Sequence, residues 1–224
     1  MAHTTDQLLE MALEIHPKPP RREMDMLVSV GERMSMALLA MALILKGKEA
    51  VSFTGSQSGI ITNKEHANAK IVDVRPHRIL DALEKGAIPI VAGFQGVSEQ
   101  GEITTLGRGG SDITAVALAA ALRAPEVIFF KDVLGIYDHD PKINPDASLF
   151  SKLSYKEALD KALQGAKVLH PRSIQLAQKN QIRLSVRSFL SPEAPGTVVG
   201  DESMGSNITF EQEDLRDVCP TVRI

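Results

Sequence analysis

The sequence predicts an α/β protein built on a mostly parallel sheet covered by helices on both faces. Short runs rich in Val, Ile and Phe alternate along the chain with longer stretches whose apolar residues recur at helical spacing. Several of the short runs end in glycine-rich turns, and the carboxyl ends of strands are where open α/β sheets admit ligands.

The elements follow in order. Residues 4–15 suit a helix, with Thr4 or Thr5 near its cap, and His16-Pro17-Lys18-Pro19-Pro20 ends it. One long helix is expected from about Arg22 to Lys46; apolar residues almost encircle it, which predicts that most of it is buried. Ala50 to Phe53 reads as a strand followed by the polar loop Thr54-Gly55-Ser56-Gln57-Ser58-Gly59. Lys70 to Val74 and Ile88 to Ala92 are strands flanking a helix at Pro76 to Lys85. The glycine turn 93–96 leads into a hairpin over Val97 to Thr105, turned at Glu99-Gln100-Gly101. Next come the loop Leu106-Gly107-Arg108-Gly109-Gly110 and an apolar helix that Ser111 or Asp112 can cap. Glu126 to Phe130 is expected as a buried strand before a long charged loop, residues 131–142. Helices near Tyr155 to Leu163 and after Pro171 to about Asn180, then a strand at Ile182 to Arg187, complete a domain over residues 1–200. Residues 201–224 read as a flexible polar tail.

Bulk properties narrow the function. A net charge of −3 and no long basic run argue against nucleic acid. The single cysteine, Cys219, excludes an intrachain disulfide and a cysteine metal cluster, and fits a reducing compartment. The longest apolar stretch, Met36 to Leu45, is too short to span a bilayer, and the first residues are no signal peptide; a cytoplasmic chain is expected.

The glycine loop before the helix at 110 is either a tight turn into an ordinary capped helix or an anion site, for which the free N–H groups and the positive dipole end are suited. Arg108 adds a planar cationic fork for carboxylate or phosphate. Glu32 is either solvated or paired with Arg33, or it faces a ligand's ammonium with Gly31 allowing close approach. Asp112, Asp132 and Asp140 can organise an ammonium or share Mg²⁺ through phosphate oxygens; equally, Asp112 can cap its helix and Asp140 start a turn. His139 and His170 read better as surface or packing residues than as catalysts. No histidine pair has zinc spacing, and neither G-x-S-x-G nor G-x-x-x-x-G-K-[ST] is present.

The strings MLVSVGERMS, SFTGSQSGI, IVAGFQGVSEQGEITTLGRGGSDITAVALAAAL, KDVLGIYDHDPK and GAKVLHPRS stand in the order and spacing of bacterial aspartate kinases. Over residues 1–200 the chain resembles their catalytic domain. The resemblance implies the amino acid kinase fold, a three-layer αβα sandwich, and transfer of the γ-phosphoryl of MgATP to the side-chain carboxylate of L-aspartate. By the same resemblance Glu32 binds the substrate's amino group and Arg108 clamps its carboxylate, with Thr54, Ser56 and Gly110 beside them. Asp112 matches the aspartate of the catalytic centre. Lys131, Asp132, Tyr137, Lys142 and Lys167 fall at nucleotide-holding positions, with ATP and Mg²⁺ as the implied cofactors and no dedicated metal ligands. Lys131 stands where the family usually has threonine, and Lys142 where it usually has arginine. The family's amino-terminal K-F-G-G-T-S loop and its carboxyl-terminal regulatory modules have no counterpart here, so an amino-terminally truncated domain is expected. The partners implied are L-aspartate, MgATP and a homodimer mate or related kinase subunit. Other readings are a non-catalytic aspartate-binding or regulatory subunit, an inactive fragment, or a kinase of the same fold acting on glutamate or UMP.

Overall fold

The computed structural model describes residues 4–200 and 208–211. Thr4–Ile15 form α1, and the prolines that follow separate it from α2 (Arg21–Val28) and α3 (Val30–Leu45). The single helix expected from Arg22 to Lys46 is thus two, divided at Ser29. There the hydroxyl donates to the Met26 carbonyl (3.0 Å) while the Ser29 carbonyl accepts from the Gln95 side-chain amide (3.0 Å). Side chains inserted into the helical ladder in this way interrupt it.

Ala50–Phe53 (β1) and Ile88–Val91 (β4) pair in parallel, from Ala50↔Ile88 to Phe53↔Val91. Between them lie β2 (Ile60–Thr62), β3 (Ile71–Val74) and α4 (His77–Glu84). The expected hairpin is present as β5 (Gln95–Ser98) and β6 (Ile103–Thr105), turned through Gly101 at φ 83°. A four-stranded sheet in the order β3-β2-β5-β6 results. Helix α5 (Gly110–Ala121) leads to β7 (Glu126–Lys131). Beyond it are β8 (Lys152–Leu153), α6 (Tyr155–Leu163), α7 (Pro171–Asn180), β9 (Arg183–Ser188) and β10 (Thr197–Val199). Its sheet runs β7-β9-β10-β8, with β7 and β9 parallel over six residue pairs. The α/β class read from the sequence holds, as a three-layer arrangement of helices on sheets that mix parallel and antiparallel pairs.

Helix α5 is the centre of the core. Ile113, Val116 and Ala117 are fully buried, and the helix touches β3 and β5 on one side and β7 and α7 on the other. Burial of such an aliphatic side chain contributes about 1.5–3 kcal/mol. Helix α6 begins with a reciprocal cap, Ser154 accepting from the Glu157 N–H while the Glu157 carboxylate accepts from the Ser154 N–H.

Three expectations need correction. Helix α3 is mostly exposed, with only Gly31 and Ala40 buried: its inner face rests on β1 and β4, and Leu38, Leu39, Met41 and Ile44 are left on the outside. Strand β7 is buried on one face only, Ile128 and Phe130 pointing outward. By length and apolar content alone, the 25-residue helical run Arg21–Leu45 is long enough to cross a membrane, contrary to expectation. Its polar links to Gln95 and to the pocket around Asp25 tie it to the domain.

Asp25, on α2, is 1% exposed. Its carboxylate accepts from the Thr105 hydroxyl and the Ala67 N–H, and meets His66 Nδ1 at 2.7 Å. This one side chain fastens α2 to the end of β6 and to a turn in which Ala67 holds φ 68°. Asp25→Ala strands those buried donors, and the expected loss is about 3–5 kcal/mol. Urea unfolding is the check; a loss near zero would mean that water satisfies the same groups.

Segment 201–224 lies mostly outside the described residues, as does Cys219. Within it, Thr209 exchanges hydrogen bonds with the Asn180 side chain at the end of α7, and buried Glu211 reaches β3, its N–H donating to the Ile71 carbonyl (3.0 Å).

Candidate active site

Three loops converge on Gly93-Phe94-Gln95. The first is the start of α3: the Arg33 Nε donates to Gln95 Oε1 (3.2 Å), and Gln95 in turn binds the Ser29 carbonyl. The second is the polar loop 54–58. A Cβ at Gly55 would lie 2.1 Å from the Gln95 carbonyl oxygen, so only glycine lets the loop seat there. The third is the glycine-rich loop: the Leu106 N–H donates to the Phe94 carbonyl (2.9 Å), and Gly110 packs on Phe94. Phe94 itself holds φ 69°, a strained conformation for a bulky residue. The Thr114 hydroxyl accepts from its N–H at 3.1 Å.

The expected substrate residues sit on these loops. Glu32, in the first turn of α3, is half-buried, and its Oε2 is buried without a hydrogen-bond partner among the described residues. Burial pushes its carboxyl above the ordinary range, with its own backbone N–H pulling the other way. No ion pair between Glu32 and Arg33 is seen among the described residues; Arg33 turns its Nε to Gln95 instead. Gly31 does not open a path for a ligand; it faces Thr4 and Thr5 of α1 at 3.7–3.9 Å from the place of a Cβ. Thr54 and Ser56 hydroxyls meet at 3.1 Å, and Thr54 also accepts from the Gln57 N–H. Arg108 is exposed, and no carboxylate among the described residues pairs with it.

At Gly109 the loop turns with φ 70°, and this residue, not Ser111 or Asp112, stands at the N-cap of α5. A Cβ there would lie 2.2 Å from His170 Cγ. Relieved of capping, Asp112 reaches across to β7. Its Oδ1 pairs with Lys131 Nζ at 2.9 Å, and its Oδ2 accepts from the His170 N–H at 3.4 Å. His170 is a cap and a packing residue: its Nδ1 accepts from the Arg172 N–H at 3.3 Å. Burial holds its imidazole below the usual range, aided by the Arg172 charge and opposed by Asp112 and Glu211.

The expected nucleotide residues are more spread out. Asp132 follows Lys131 directly, so their loop opens at the Asp112 pair. Asp132, Lys142 and Lys167 are exposed, and no side-chain partner is seen for them among the described residues. Lys142 enters only through its N–H, which donates to Asp140 Oδ1; this is the turn expected of Asp140. Tyr137 bridges to Leu149, and Thr197 accepts from the Ile136 N–H at 2.8 Å, which fixes the loop on β10. Behind the loop is a narrow apolar recess lined by Ile136, Ala158, Ala162, Ala166 and Val168, with Lys161 at its rim donating to the Asp138 carbonyl. Sequence reasoning passed over Lys161, Gln95 and Arg172. Only Gln95 carried a signal, its place in the glycine turn at a strand end.

The sequence model of the amino acid kinase family matches residues 2–188. An aspartokinase of Corynebacterium glutamicum is 54% identical over 200 residues, which are 89% of this chain and 47% of that protein. Among solved structures, aspartate kinase from Synechocystis superposes with a TM-score of 0.80 at 42% identity, over 92% of this chain and 34% of the other. Aspartokinase III of E. coli, solved with aspartate and ADP, gives 0.78 at 33% identity over 88% and 46%. The chain spans about half the length of the curated relatives it matches.

Proposed function

Since the chain belongs to the amino acid kinase family, we propose that it carries the catalytic domain of an aspartate kinase. It would transfer the γ-phosphoryl of MgATP to the side-chain carboxylate of L-aspartate, giving 4-phospho-L-aspartate for lysine, threonine and methionine synthesis in the cytoplasm. The observation that carries the reading is the pair Glu32 and Arg108. A partly desolvated carboxylate whose Oε2 has no partner, in the first turn of α3, and an unpaired guanidinium on the glycine-rich loop, both on segments anchored to Gly93–Gln95, complement the ammonium and carboxylate of an amino acid. The aspartate and ADP of the E. coli structure agree with it.

In this reading Thr54, Ser56 and Gly110 line the acid, while Asp132, Tyr137, Lys142 and Lys167 hold the nucleotide beside the apolar recess. Lys131, pinned by Asp112, has two further N–H donors for the oxygens of the transferred group. Phosphoryl transfer depends mainly on positioning and charge neutralisation, so no covalent nucleophile is required. Among the described residues no three His, Cys, Asp or Glu side chains gather as a metal site. Mg²⁺ needs only one or two carboxylates plus phosphates, and the exposed Asp132, with no side-chain partner among the described residues, is free to offer one. When bound, the ion would offset phosphate charge.

The test is calorimetric titration with L-aspartate and with MgATP, followed by a hydroxamate assay for acyl phosphate. Binding of both with product upholds the proposal. Aspartate binding alone makes the chain a binding subunit, and binding of neither removes the reading.

A pH dependence follows from Glu32. Its ionised form must face the ligand's ammonium, and its pKa is raised. Affinity for L-aspartate is therefore full above that raised pKa and falls as pH drops through it, before the ligand's own side chain titrates near about 3.9. Glu32→Gln is expected to bind about tenfold more weakly or worse, without that acid limb. Kd measured against pH decides it; an identical acid limb in the variant would assign the titration elsewhere.

A further inference from the structure

Arg172, the second residue of α7, spends all five of its guanidinium N–H groups inside the domain. Nε and Nη2 grip the two Glu211 carboxylate oxygens at 2.7 and 2.9 Å. The other Nη2 hydrogen goes to the Ala69 carbonyl (3.0 Å), and Nη1 serves the Leu106 carbonyl (2.7 Å) and Asn68 Oδ1 (3.3 Å). Glu211 Oε2 also accepts from the Ile71 N–H at 3.0 Å, and its side chain is 3% exposed. Leu106 is the residue from which the glycine-rich loop springs. Two residues from Arg172, the His170 ring fills the place against Gly109. The loop is thus held at its root by Arg172 and at its far end by His170.

The geometry points to Arg172 and Glu211 as a positioning pair that fixes the 106–110 loop, so that the aim of Arg108 depends on where segment 208–211 sits. Glu211 lies beyond the family match at 2–188. A buried bidentate ion pair has one geometry that satisfies every donor and acceptor. Remove Glu211, and two of the five Arg172 N–H groups lose their acceptors, along with the carboxylate that fixes the guanidinium against the Leu106 carbonyl. The inference rests on the reading of this loop as the substrate loop only for its effect on affinity; the effect on the loop itself stands apart.

The experiment therefore has two arms on the full chain, with Glu211→Ala and the milder Glu211→Gln. In the first, hydrogen exchange is followed at the Leu106, Gly110 and Ile113 amides, with the β7–β9 ladder amides Val127 and Leu184 as internal controls. Exchange at the loop is expected to rise about tenfold or more in Glu211→Ala and less in Glu211→Gln, the ladder staying unchanged. In the second, the Kd for L-aspartate is expected to weaken about tenfold while that for MgATP stays within about twofold. Unchanged loop exchange, or equal acceleration of loop and ladder, overturns the pair as a positioning device. Faster loop exchange in a protein that never bound aspartate upholds it and removes only the substrate assignment. If Glu211→Ala does not fold, Glu211→Gln alone is decisive on the same comparison.

Discussion

Asp112→Asn is expected to cut kcat by about 10²–10⁴ while both substrates still bind within a few-fold. Asparagine keeps the shape and can still accept from the His170 N–H through its carbonyl. Its amide then faces Lys131 Nζ, which now sits 2.9 Å from a carboxylate oxygen. The ammonium loses its anchor and meets a donor in place of an acceptor, so it no longer waits where the phosphoryl passes. The loss therefore belongs to the transition state rather than to either ground state. The hydroxamate assay under saturating substrates reads it, beside separate binding titrations. An unaltered kcat would reduce Asp112 to a strut between β7 and the 165–170 turn.

The second large effect concerns recognition. Arg108→Ala is expected to weaken L-aspartate about 100-fold or more, equivalent to about 2.8 kcal/mol, and to leave MgATP unchanged. Arg108 is exposed and makes no ion pair among the described residues, so its removal costs the free fold little. Lys167→Ala is expected to do the reverse, weakening the nucleotide and sparing aspartate. Calorimetry on both variants, with melting temperatures as the control for folding, tests the division. If either variant weakened both ligands alike without a change in melting, the site could not be split this way.

Local pattern made most of the fold legible. Helix α1, strands β1 and β4, the β5–β6 hairpin and helices α4 to α7 lie within a residue or two of expectation, because caps, prolines and turn glycines act over a few positions. The strands β2, β8 and β10 were missed: none exceeds three residues, too few for a period to show. The burial of α3 was misread for a different reason. Apolar content reports what a helix can bury, whereas burial depends on what lies against it, and among the described residues that is mainly β1 and β4 on one side. The cap of α5 shows a third limit. Asp112 has the chemistry of a cap, but a left-handed Gly109 already turns the chain, and the carboxylate is drawn to a lysine nineteen residues away.

The candidate site divides along the same line. Glu32, Arg108 and Asp112 stood out because their residue types and neighbouring glycines advertise chemistry. Gln95, Arg172 and Glu211 did not, since each acts through partners far along the chain: Gln95 reaches Ser29 across 66 residues and Arg172 reaches Asn68 across 104. No window of sequence contains both ends of such a contact.

The seating of three loops on Gly93–Gln95 separates what can be redesigned from what cannot. Gly55, Gly109 and Gly110 are stems, and a side chain at any of them would strike Gln95, His170 or Phe94. Ser56, Gln57 and Arg108 are tips, exposed and free of such packing. A library meant to recruit a different acid acceptor should therefore randomise the tips and leave the stems and their three-residue seat untouched. Its members would differ in what they hold while sharing one unaltered frame.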